Sequence, residues 1–117
     1  NKNKILYPVG LVDSGSDITI IDHEFAKELG IEIKKSPKVK VYGVGGGKIE
    51  VWFSPLGFVI EDNNSNQPII YQDLVGFTYE SFPLTMPQQT AILGTIGFFR
   101  HFKVTFDYPR SILVESK

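Results

Sequence analysis

Cysteine is absent from these 117 residues, and its absence removes three kinds of chemistry at once. There is no disulfide framework, no thiolate nucleophile and no cysteine-based metal site. Histidine is scarce too: His23 and His101 stand far apart and without ligand spacing around them, so they read as surface or capping residues, not metal ligands. Neither sign of charge is in excess, with 12 Lys and Arg against 13 Asp and Glu and a net charge of -1. That balance argues against a nucleic-acid partner and against an acidic tail. No apolar run approaches the roughly 18 residues that a membrane-spanning helix needs. No signal peptide opens the chain, which starts at Asn1 without a methionine, as a processed or excised domain would. Internal repeats at periods of about 20–50 residues are lacking as well.

What is present is ordinary for a soluble globular chain: 42% hydrophobic and 21% charged residues. The length suits one domain over residues 1–117 with a real core and no room for a second. Short apolar runs separated by turn residues dominate. Residues 5–12 read as a strand, with Pro8 at an edge or entry position. Asp22 is a good N-cap for a short helix over 23–29, and Gly30 sits where a left-handed C-terminal cap would fall. Residues 39–43 and 48–53 flank a cluster of glycines, which signals a hairpin. Residues 58–60 and 69–71 pair across the polar stretch 61–67, and 74–77 forms a further strand. A short helix over 96–101 is followed by strands at 103–107 and 112–114, joined by a turn at Pro109-Arg110-Ser111. Many short strands with one or two short helices predict a mostly β domain, closed or sandwich-like.

The chemistry concentrates in one place. Leu11 and Val12 run straight into Asp13-Ser14-Gly15-Ser16-Asp17, and apolar character resumes at Ile18, Ile20 and Ile21. A carboxylate just past a buried strand, on a tight turn of small residues, is costly to desolvate and is commonly placed for reaction. The same three residues also make an ordinary β-turn, so the turn alone decides nothing. Ser14 and Ser16 sit in no nucleophile-elbow pattern and have no local base, which argues against a serine hydrolase. The glycines around Lys48 fit no phosphate loop, since Ile49 follows the lysine and no glycine stands at the upstream position, and no dinucleotide fingerprint, since Lys48 takes the place of its last glycine.

Three segments together resemble the retropepsin-type aspartic proteases, the single-domain family that includes the retroviral enzymes. They are Leu11-Val12-Asp13-Ser14-Gly15-Ser16-Asp17, then Val41-Tyr42-Gly43-Val44-Gly45-Gly46-Gly47-Lys48-Ile49, then Ala91-Ile92-Leu93-Gly94 with the aromatic run that follows. The resemblance implies a closed β-barrel with a flap hairpin, acting as a homodimer in which each chain gives one aspartate. It casts Asp13 as the catalytic carboxylate facing its symmetry mate, Ser14 as a hydrogen-bonding partner across the two-fold axis, and Gly15 as cleft backbone. It places Gly43, Val44, Gly45 and Gly46 at the flap tip over a bound peptide, with Val44 and Gly45 offering N–H groups. It gives Asp17 to substrate backbone, and Leu84 and Ile92 to side-chain pockets. Partners so implied are a peptide or protein substrate and a second copy of the chain, with no cofactor; the charge balance and the lack of a long apolar run add no nucleic acid and no membrane within this segment. Because paired carboxylates must share one proton, mildly acidic conditions are expected to suit the reaction. The chain departs from the retroviral pattern at Thr95, where those members carry an arginine, and in its short lead-in to Asp13. A catalytically silent dimerisation or peptide-binding module with the same fold remains open at this stage, as does a plain β domain whose Asp-Ser-Gly is only a turn.

Overall fold

A computed structural model of the protein describes residues 4–32, 39–42, 48–61, 67–80, 82 and 90–117. It is mostly β, and its main sheet is curled into a half barrel. The elements in chain order are β1 (Val9–Val12), β2 (Ile20–Ile21), α1 (His23–Glu28), β3 (Val39–Tyr42), β4 (Lys48–Ile60), β5 (Ile69–Thr78) and β6 (Thr90–Leu93). A single 3₁₀ turn over Phe99–His101 then leads into β7 (Phe102–Asp107) and β8 (Ser111–Ser116). Six strands form the main sheet in the order β1-β6-β2-β5-β4-β3, and β7 and β8 form a separate antiparallel pair.

The sheet is buried on both faces, which the alternation of side chains explains. Neighbouring residues on a strand point to opposite sides, and here both neighbours are apolar. Ile21, Trp52, Phe77 and Ala91 join Ala26 of α1 and Val75 in one cluster. Ile20, Val51 and Ile92 join Ile18 and Phe82 in the other. Trp52, Val51, Val75 and Phe77 are wholly buried. At about 25 cal/mol per Å² of apolar surface removed from water, burying each such side chain stabilises the fold by about 1.5–3 kcal/mol, before the opposing loss of chain entropy.

Helix α1 forms where its caps predict. Asp22 is extended, and its Oδ1 accepts the Glu24 N–H at 2.9 Å. At the other end the Gly30 N–H donates to the Lys27 carbonyl and the Ile31 N–H to the Ala26 carbonyl, at 3.1 and 2.8 Å. That pair of bonds is a Schellman cap, with Gly30 at φ 74° and Ile31 packed back on the core.

Three expectations change. The first strand begins at Val9 and not at residue 5, because its parallel pairing with β6 starts at Val9 opposite Thr90 and Pro8 has no N–H to extend it. The strands expected at 48–53 and 58–60 are one continuous β4, and those expected at 69–71 and 74–77 are one continuous β5, the two antiparallel from Val51–Thr78 to Ile60–Ile69. Pro55 is tolerated within β4 because, among the described residues, β3 pairs with β4 only as far as Val51 and no other strand lies on that side of Pro55. The helix expected over 96–101 shrinks to the 3₁₀ turn, since Ile96 is drawn into strand-like pairing with Ile18 and Gly97 adopts φ 99°. The hairpin tip at 43–47, the polar turn at 62–66 and Leu84 lie outside the described residues.

Candidate active site

Asp13 leaves the end of β1 on a turn that the chain itself closes. The Ser16 N–H donates to the Asp13 carbonyl at 3.1 Å, and the Gly15 N–H donates to Asp13 Oδ1 at 3.0 Å. One carboxylate oxygen is thus held by a backbone N–H, which orients the group. Asp13 is half-buried, whereas Ser14, Gly15 and Asp17 are exposed. Ser16 turns inward, its hydroxyl donating to the Ile18 carbonyl at 2.7 Å.

A second segment, 93–97, clamps this loop from the side. The Asp13 N–H donates to the Leu93 carbonyl at 3.0 Å. The Thr95 N–H donates to the Ser16 carbonyl at 3.0 Å, and the Ile96 N–H to the Asp17 carbonyl at 2.9 Å. In return the Thr19 N–H donates to the Ile96 carbonyl at 2.8 Å. The approach is close enough that a Cβ on Gly94 would lie 2.3 Å from the Ile18 carbonyl oxygen, so no side chain fits there. Buried Thr19 completes the junction, its Oγ1 accepting the Gly94 N–H at 3.1 Å.

The remaining expected residues fall as follows. Ile92 is buried in the second core cluster with Ile18, Ile20, Val51 and Phe82. The arms of the glycine-rich hairpin are β3 and β4, paired from Val39–Val51 to Tyr42–Lys48. Gly43, Val44, Gly45, Gly46 and Leu84 are outside the described residues. Among the described residues no group of three His, Cys, Asp or Glu side chains could hold a metal ion. No helix among them is long and apolar enough to cross a membrane.

A family model for aspartyl proteases matches residues 9–95. The chain belongs to the aspartyl protease family. Neither the curated proteins nor the solved structures gave a match. The matched span runs from the first residue of β1 to Thr95, and so takes in both the Asp13 turn and most of the clamp that holds it. Its function at the level of the family is that of an aspartic protease.

One cluster in this aspartyl protease escapes a reading of the sequence. Asp73 lies in the middle of β5 with its side chain 1% exposed. Its Oδ2 accepts the Gly97 N–H at 2.9 Å, Arg100 Nε at 2.7 Å and a ring nitrogen, His101 Nε2, at 2.6 Å. Its Oδ1 accepts Arg100 Nη2 and the Leu74 N–H. Burial by itself raises a carboxylate's pKa; here the donors from Arg100, His101, Leu74 and Gly97 outweigh it and hold Asp73 well below the usual range. An ionised carboxylate only accepts, so His101 carries its proton on Nε2. Tyr71, two residues earlier on the same face of β5, donates its hydroxyl to the Gly97 carbonyl at 2.8 Å. Burial, helped by the Asp73 charge, pushes the Tyr71 hydroxyl up and keeps it a donor. His101 is therefore more than a surface residue: its half-buried ring lies tilted against Tyr71 with centroids 4.5 Å apart and bonds a buried charge. The available signal was an aspartate inside an otherwise strand-like run, Ile69-Ile70-Tyr71-Gln72-Asp73-Leu74-Val75.

Proposed function

We propose that the protein is an endopeptidase that works as a homodimer and hydrolyses extended polypeptides with water activated between two Asp13 carboxylates. The observation that carries this reading is the Asp13 turn: a half-buried carboxylate, oriented by the Gly15 N–H, beside exposed Ser14 and Gly15. The chain provides one such Asp-Ser-Gly and the chemistry needs two carboxylates, so the second comes from another copy. A symmetric pair is the commonest oligomer and lets one surface meet itself. Exposed apolar side chains on β1 (Val9, Leu11) and β8 (Ile112, Leu113) support a surface of that kind.

In the proposed reaction one Asp13 is ionised and the other protonated. The ionised carboxylate takes a proton from water, whose oxygen adds to the peptide carbonyl carbon, while the protonated one gives its proton to the carbonyl oxygen. A tetrahedral diol results. Its C–N bond then breaks as the Asp13 that took the water proton gives it to the leaving nitrogen and a diol hydroxyl returns a proton to the other Asp13, which gives a carboxylic acid, an amine and the starting dyad. Ser14 ties the two turns together, and Gly15 lines the cleft with bare backbone. Asp17 contacts substrate, as do Leu84 and residues 43–46 by the family resemblance.

The test incubates the purified protein with a peptide library from about pH 3 to 8, the range over which such paired carboxylates titrate, beside Asp13→Asn. Cleavage should fall on the order of 10³-fold in the variant, the usual scale for an acid–base group. Cleavage that survives the substitution, or activity confined to a monomer in sedimentation, sinks the reading.

A further inference from the structure

Gly97 is where the Asp13 loop and the far side of the sheet meet, and it is held at every point. Its N–H goes to Asp73 and its carbonyl accepts from Tyr71, both on β5. Its φ of 99° admits no ordinary side chain, and a Cβ there would lie 2.5 Å from Thr19 Oγ1. Immediately before it, Thr95 and Ile96 make the bonds that clamp Ser16 and Asp17. Just after it, the chain folds back on the same segment: the Phe99 N–H donates to the Gly94 carbonyl at 3.0 Å and the Arg100 N–H to the Thr95 carbonyl at 3.1 Å. Arg100 is thus joined to the clamp by its backbone and to Asp73 by its side chain.

We infer that Asp73 is a positioning residue for the Asp13 site, and that Arg100 and His101 are its supports: together they brace the 94–97 turn and so fix the loop that carries Asp13. Its meaning for catalysis rests on the proposed role of Asp13. The brace contacts no substrate. It acts through Gly97 on a turn only a few bonds long, and clamp and brace share the same backbone. An ion pair buried on one side and bonded by two guanidinium nitrogens is directional, and its geometry is not reproduced by a lysine point charge. Its work is to keep the turn in one position, because reacting groups displaced by about 1 Å can cost 10²-fold in rate.

The variants are Arg100→Ala, Arg100→Lys and Asp73→Asn in the whole 117-residue chain. Arg100 is half-exposed, so its removal leaves the core intact even if the Asp73 variant does not fold. Two readouts are taken: amide hydrogen exchange at Asp13, Thr95 and Ile96 against Val51 and Trp52, and kcat and KM on a cleaved peptide. In Arg100→Ala exchange should quicken about 10-fold or more at the three clamp amides and stay level in β4, as local opening does. kcat should fall about 10- to 100-fold with KM within about twofold, and Arg100→Lys should recover part of the loss. Exchange that quickens equally at Trp52, clamp amides that do not change, or a KM effect without a kcat effect each overturn the brace. Should the wild-type protein cut nothing in an Asp13-dependent way, the endopeptidase reading falls, and the exchange comparison still decides whether Asp73 holds the loop.

Discussion

At the scale of single residues, the position of Asp13 is set by what touches its neighbours more than by its own contacts. Its turn is a local matter of Asp, Ser and Gly, and was legible from those letters. The clamp was not, because it joins residues about 80 positions apart through backbone groups that every residue type carries. Gly97 makes the difference measurable. In Gly97→Ala the added methyl meets Thr19 Oγ1 at 2.5 Å and the Leu74 carbonyl at 3.1 Å, on a backbone of φ 99°. Strain at the dihedral and overpacking together should destabilise the protein by about 3 kcal/mol, read as a lower urea midpoint with an unchanged m-value. Thr19 shares the blame for that crowding, so Gly97→Ala with Thr19→Ser should remain as crowded and recover little, since the oxygen stays in place.

At the scale of elements, α1 was legible almost to the residue, since caps act within four or five positions. Asp22 nevertheless does more than cap. Its Oδ1 accepts the Glu24 N–H while its Oδ2 accepts the Phe82 N–H at 2.9 Å, 60 residues on, so one buried carboxylate ties the helix start to the segment near the end of β5. Asp22→Ala removes the cap and strands a buried amide, and should cost about 2–4 kcal/mol. Asp22→Asn keeps one acceptor oxygen and offers an amide where the second was, so it should fall between the two in a denaturation series. The merging of two expected strands into β4 has a similar origin. Pro55 and Gly57 look like strand breakers in the sequence, but among the described residues no strand pairs with β4 on the β3 side beyond Val51, so a missing N–H costs no bond there.

At the scale of the whole molecule, the brace links stability to pH. The folded pKa of Asp73 is depressed, so its contribution is fully present above the unfolded value of about 3.9 and is lost as pH falls through the lower folded value. Wild-type stability should therefore begin to decline below about pH 4, more steeply than that of Asp73→Asn, which has no carboxylate to protonate. Thermal unfolding of both proteins across that range checks it, and parallel curves would show that other groups govern acid unfolding. The proposed cleavage at mildly acidic pH lies above this window, where the brace is still ionised.

Legible in the order of residues alone are the mostly β architecture, the helix with both of its caps, the Asp13-Ser14-Gly15 turn, and the family that these motifs in this order resemble. The first three depend on local backbone preference and on the period of apolar residues, which neighbours in the chain decide among themselves, and the family rests on the likeness of its motifs. Long-range packing sets the rest: Ile92 joins the core, 96–101 makes no true helix, and Asp73 finds Arg100 and His101. Those outcomes depend on which strands become neighbours. A buried carboxylate is stable only beside the donors that the fold brings to it, and here they arrive from 27 and 28 residues away.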